Sequence, residues 1–165
     1  MDASSLIYLA KADGFADAAE CVARLSAPPA VWAEVVDAGR HIGAPEVGRI
    51  VAAHEAGFLA RADMAGGLGA RAAALAAEHR LGRGESEVLA AALPDQPVVV
   101  DEARATRIAR SLGLVPISTL RLPVLGVRRG TLDPTRARAL LRRLAAVTGA
   151  RADAVFAIEE QLRES

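Results

Sequence analysis

The stretch Pro97-Val-Val-Val-Asp101-Glu102 constrains the fold of this chain more than any other segment. Three consecutive valines between a proline and two acids are too few for a helix. They also lack polar alternation, so they read as a strand buried on both faces. Such a strand needs helices above and below it, and helix signals stand on either side. One helix is predicted from Glu85 to Leu93, and another from Glu102 to Leu112, closed by Gly113 at a C′ position. Val115-Pro-Ile117 gives a second short strand, with further strand candidates at Gly57 to Ala62 and at Ala30-Val31. Short apolar strands alternating with helices predict an α/β sandwich around a mostly parallel sheet.

The remaining punctuation is helical. Ser4 or Ser5 caps a helix through Leu6, Ile7, Leu9 and Ala10, broken at Asp13-Gly14. A second helix, Phe15 to Leu25, stops at Ser26-Ala-Pro-Pro. Helices are also expected at Glu46 to Glu55 and Ala70 to His79, the latter behind a Gly66-Gly-Leu-Gly69 loop. From about residue 120 the chain reads as helices separated at Gly130, Asp133-Pro134 and Gly149. A length of 165 residues suits one domain, 1–165, with a substantial core, and no linker or repeat divides it.

Composition narrows the function classes. Hydrophobic residues make up 52 %, against disorder, while aromatics are only 3 %, against a base-stacking platform. A net charge of zero gives no global pull toward nucleic acid or membrane. No apolar run is long enough to cross a bilayer and no secretory leader is recognisable, so a cytoplasmic protein without membrane attachment is expected. Cys21 is the single cysteine, which leaves no internal disulfide and no cysteine-based zinc site; its apolar flanks predict a buried thiol. His41, His54 and His79 lack ligand spacing and read as surface or helix-end residues. Arg121, Arg128, Arg129, Arg136, Arg138, Arg142 and Arg143 crowd one stretch, either as a solvated helix face or as a phosphate- or partner-facing strip.

Four acids stand where this punctuation places strand ends or helix starts: Asp2, Glu34, Glu85 and Asp101. Ligands in open α/β sheets sit outside the carboxyl ends of strands, where Asp101 falls. Carboxylates set in apolar sequence are costly unless a cation or hydrogen-bond donors offset them. Their convergence would make an acidic pocket suited to a divalent metal. The competing reading is N-capping or a solvated helix face. For Glu85 that alternative is sharpened by the helix dipole, and by Glu87 as a rival that a two-residue step turns about 160° away on a helix.

The same residues resemble the PIN-domain family, metal-dependent nucleases that include VapC-type toxins. Asp2-Ala-Ser-Ser-Leu-Ile-Tyr-Leu-Ala-Lys resembles the family's opening motif, and Val31-Trp-Ala-Glu34-Val-Val its second acidic motif. Leu81-Gly-Arg-Gly-Glu85-Ser-Glu-Val-Leu is similar to the Gly-Glu version of the third. Val98-Val-Val-Asp101-Glu102, with Leu112-Gly-Leu114 after it, is similar to the fourth. The likeness spans nearly the whole chain, and each fragment gains weight from the order of all four. It departs from the family at three places. Only Met1 precedes Asp2 where the family has a hydrophobic strand: either the sequence starts short or the central strand is missing, and its loss would leave neighbouring ladder groups unpaired. Arg121 stands near a position usually small, and Glu102 where many members have aspartate.

The resemblance implies a three-layer sandwich with a central sheet of four or five strands flanked by helices. It implies a Mg²⁺- or Mn²⁺-dependent endoribonuclease, the toxin of a toxin–antitoxin pair, with RNA as substrate, a small antitoxin as partner and a possible homodimer. Asp2, Glu34, Glu85 and Asp101 would be the catalytic metal ligands, with Glu102 as an additional candidate; hard oxygen donors of this kind suit Mg²⁺ or Mn²⁺. Ser4 and Thr119 would orient carboxylates, and Arg104 and Arg121 would contact phosphate. Two other classes compete: a PIN scaffold with weakened catalysis that binds RNA or protein, and an aspartyl-phosphate enzyme. The latter is disfavoured because Ser4 stands where a phosphatase has its second aspartate.

Overall fold

The computed structural model describes residues 1–164. Its first helix, α1 (Ala3–Lys11), starts because Asp2 caps it, the carboxylate accepting from Ser5 N at 2.8 Å. It stops at Asp13, held at φ 49°. The next helix, α2 (Phe15–Cys21), is shorter than the sequence suggests, because the chain turns extended at Val22 and enters strand β1 (Ser26–Ala27). Pro29 then sits in the first turn of α3 (Pro29–Trp32), where a missing N–H costs nothing. The strand expected at Ala30-Val31 therefore lies a few residues earlier, and Ala30-Val31 are helical. The same helix widens into a π-helical turn at Ala33–Asp37 before continuing as α4 (Ala38–His41).

Beyond it come α5 (Glu46–Glu55), β2 (Ala60–Arg61), α6 (Leu68–His79) and α7 (Arg83–Ala91). The glycine loop is shorter than expected: Gly66 and Gly67 take positive φ and α6 begins at Leu68. The valine run forms β3 (Pro97–Val99), followed by α8 (Ala103–Ser111), β4 (Val115–Ile117) and a 3₁₀ turn at Thr119–Arg121. Three helices complete the chain: α9 (Leu122–Arg128), α10 (Pro134–Thr148) and α11 (Ala152–Arg163).

All strand pairing is parallel, as predicted, but the single sheet of four or five strands is not what forms. Among the described residues there are two two-stranded sheets, β1·β2 and β3·β4. Met1 and Asp2 lie between them. The Met1 amine donates to Ser26 O at 2.8 Å on the β1 side, and Asp2 N donates to Val99 O at 3.2 Å on the β3 side. Two residues bridge where a strand would be needed, too few to make the pairs one continuous sheet.

One hydrophobic cluster runs from Met1 to Leu162, built from Leu, Val and Ala, with Leu6, Leu9, Leu89, Leu140 and Leu144 fully buried. Such packing is the main source of stability, at about 25 cal/mol per Å² of apolar surface removed from water. Cys21 is inside it, its thiol pushed up to about 12 by burial and by the charge of Asp17. Part of the arginine strip is structural. Arg136 pairs with Asp17 at 2.7 Å and Glu20 at 2.8 Å, Arg143 pairs with Asp17 at 2.6 Å, and Arg129 donates to Cys21 O, so α2 is tied to α9 and α10. All three histidines occupy last helical turns; His54 also packs edge-on against Trp32, whose other neighbour is the Arg61 guanidinium 4.2 Å from the ring centre. No described helix is long and apolar enough to cross a membrane.

Candidate active site

Three helix N-termini converge beside the gap between the two sheets. They are those of α1 with Asp2, of α7 with Gly82 to Glu85, and of α8 with Glu102. The π-helical turn brings Glu34 to the same place. Asp2, Glu34, Glu85 and Glu102 line one cavity of 220 Å³, together with Ser4, Arg83 and Gly84. Helix N-termini favour negative charge, which offsets part of the mutual repulsion of these carboxylates.

Gly84 makes this approach possible. A Cβ at that position would stand 3.1 Å from Glu34 Oε2 and 3.2 Å from Val31 Cγ2. Glu85 uses one oxygen to accept from Gly82 N at 2.9 Å, while its Oε1 is buried with no hydrogen-bond partner. Glu102 leans toward it: a shared hydrogen bond with the Glu85 carboxyl, and then the Glu85 charge, push the Glu102 carboxyl above its usual range, against the pull of Arg104. Two neighbouring carboxyl groups, one with an orphaned oxygen, form a site short of positive charge.

Asp101 is placed differently. It is absent from the cavity wall and is held by donors on every side. Its Oδ1 accepts from Thr119 N at 3.0 Å, and its Oδ2 contacts the Thr119 hydroxyl and, at 2.9 Å, Ser5 Oγ. Asp2 is tied into the same knot, with Oδ2 accepting from Asp101 N at 2.9 Å and Oδ1 from both Ser5 N and Ser5 Oγ. One hydroxyl proton serves one carboxylate at a time, so Ser5 bridges the pair only if a second proton is present. Burial, opposed by the Thr119 and Ser5 hydrogen bonds, raises the Asp101 carboxyl and favours that proton.

The structure thus redistributes the residues singled out by sequence. Thr119 touches Asp101, as expected of a hydroxyl that orients a carboxylate. Ser4, its expected counterpart, is exposed at the cavity wall, and the buried hydroxyl between the acids is Ser5, one position along; the pattern of capping residues allowed either. Arg104 donates to His79 O at the end of α6, and Arg121 is exposed in the 3₁₀ turn. Glu87, the rival to Glu85, faces away: it is 7 % exposed, accepts from Ala30 N at 2.7 Å and pairs with Arg83 at 3.1 Å, so it clamps α7 to α3. Arg83 and Gly84 were missed as cavity residues. Only the packing of α7 on α3 gives them their place, and their signal in the sequence was no more than proximity to Glu85.

A donor set made of carboxylate oxygens fits a hard divalent cation, and the orphaned Glu85 Oε1 is an acceptor awaiting one. Among the described residues no three His, Cys, Asp or Glu side chains stand at metal-ligating separation, so the carboxylates line a cavity without forming a closed cage.

Parallel strand pairs flanked by helices, with helix N-termini converging on an acidic cavity, define an α/β protein with a carboxylate-lined pocket. A family model described as a PIN domain matches residues 1–160, and the chain belongs to that family. PIN domains are generally nucleases and typically use divalent metals, which puts the chain in the nuclease class at that coarse level. No curated protein and no solved structure matches it significantly.

Proposed function

We propose that the chain is a Mg²⁺- or Mn²⁺-dependent endoribonuclease and the toxin of a toxin–antitoxin pair. The observation that carries the reading is the orphaned Glu85 Oε1 in a cavity walled by Asp2, Glu34, Glu85 and Glu102. A divalent ion bound there would lower the pKa of a water and neutralise charge developing on a phosphodiester. Glu34, Glu85 and Glu102 would supply its oxygen ligands. Asp2, fixed by Ser5 N and by Asp101 N, would offer the most rigid carboxylate of the set. Asp101, held by Thr119, would keep Asp2 and the α8 start in place. Arg83 at the wall would meet a backbone phosphate, with Arg104 and Arg121 further out.

Calorimetric titration with Mn²⁺ and a cleavage assay on single-stranded RNA test this together. The 165-residue protein should bind Mn²⁺ and cut RNA only with the metal, and Glu85→Gln, which retains the Gly82 contact, should lose both. Cleavage that survives both chelation and Glu85→Gln would sink the proposal. A second reading, a PIN scaffold with weakened catalysis that binds RNA or protein, is favoured because among the described residues no three carboxylates stand at ligating separation. RNA retention with no Mn²⁺ binding would select it. Antitoxin pairing and a homodimer belong to the toxin reading. A small co-expressed protein that abolishes cleavage, and the mass of the free protein in solution, decide them.

A further inference from the structure

Helix α8 carries three arginines and no acid, in a chain whose net charge is zero. Its inward face is Ala105 and Ala109, both fully buried, while Arg104, Arg107 and Arg110 are exposed. Each three-residue step turns the helix by about 60°, so the three arginines share an arc of about 120° on the outer face. Their setting differs from that of other surface arginines. Arg136 and Arg143 hold Asp17, Arg151 holds Asp153, and Arg163 holds Glu160. Among the described residues, Arg107 and Arg110 have neither an ion pair nor a hydrogen bond. Their placement is also directional. α8 starts at Glu102 on the wall of the acidic cavity and runs away from it. Along the axis Arg107 stands about 7.5 Å, and Arg110 about 12 Å, from that end. Arg83 lies on the same wall, and Arg104 donates to His79 O, which draws the exposed Arg80 at the end of α6 to the start of α8. Positive charge therefore begins at the cavity mouth and continues outward along one helix.

We propose that α8 is a track for a single-stranded polynucleotide, held by its backbone phosphates and led past Arg110, Arg107 and Arg104 to the acidic cavity. The cavity carboxylates by themselves repel a polyanion, so the attraction has to come from beside them. Guanidinium groups bind phosphate oxygens in pairs, and those of Arg107 and Arg110 give up no acidic partner to do so. α8 has no aromatic side chain on which a base could stack. Contact is therefore with the backbone, which positions a strand without reading its sequence. The inference deepens the ribonuclease reading, on which it rests for the chemistry at the inner end of the track; binding along α8 itself needs no metal.

The test is fluorescence anisotropy of end-labelled oligouridylate and oligoadenylate, about 12 nucleotides long, in EDTA, so that binding is read without cleavage. The two should bind within about threefold of each other. Affinity should fall with salt, each phosphate contact adding about −0.7 to the slope of log affinity against log salt. The double variant Arg107→Gln/Arg110→Gln keeps good helix formers in α8. It should flatten that slope by about 1.4 and bind roughly 20-fold more weakly at about 0.1 M salt. Arg142→Gln, on the exposed side of α10, should change neither. A protein that binds in this way and does not cut refutes the ribonuclease reading and leaves the track standing. One that cuts while the double variant keeps the parent slope does the reverse. The same loss in Arg142→Gln, a base preference above about tenfold, or no binding at all would likewise overturn the track.

Discussion

The acidic face of this protein has two regions that the sequence makes look alike. In one, Asp2 and Asp101 are wrapped by Ser5, Thr119 and each other's backbone, and every oxygen has a donor. In the other, Glu34, Glu85 and Glu102 line an open cavity, Glu85 with an orphaned oxygen and Glu102 pushed above its usual range by its contact with Glu85. A carboxylate whose acceptors are filled stabilises the fold. One whose acceptors are empty is available to a ligand. The knot holds the fold together, and the rim is open to a ligand.

That division can be broken by mutation. The largest effect on stability should come from Asp101→Ala, which strands the Thr119 N–H and hydroxyl and one Ser5 contact; a loss of about 3 kcal/mol in urea unfolding is expected. Glu87→Ala comes next, at about 2 kcal/mol, because the buried Ala30 N–H loses its acceptor. Ser5→Ala should cost about 1 kcal/mol, with one hydroxyl removed and the Ser5 N contact to Asp2 kept. At the rim, Glu34→Gln and Glu85→Gln should shift stability by no more than about 0.5 kcal/mol while eliminating Mn²⁺ binding by calorimetry. A rim variant as destabilising as Asp101→Ala would erase the distinction between the two regions.

Legibility followed the range of the forces involved. The β3 run, α8 and the Gly113 stop were readable because Val propensity, capping and positive φ act within a few residues. Asp2, Glu85 and Glu102 were readable because each sits at a helix start, whereas Glu34 lies inside a helix, in its π turn. What the sequence concealed was relational. Whether Ser4 or Ser5 faces the acids depends on one step of α1 rotation against β3. Glu87 was separated from Glu85 only by the docking of α7 on α3. Among the described residues the strands pair only two by two, and periodicity in either strand says nothing about its neighbour. The strand expected at Ala30-Val31 went to the preceding residues because Pro29 suits a first helical turn.

The π-helical turn at Ala33–Asp37 ties Glu34 to chain length. A π turn holds one residue more than an α turn, and such bulges gather at functional sites. Deleting a single residue within it would restore the α-helical period and rotate one half of the helix by about 100° against the other. Either Glu34 would then leave the cavity or Val35 and Val36 would leave the core. A one-codon deletion at this turn is therefore a short evolutionary path from a cavity with four acids to a folded relative that keeps its surface and loses one of them.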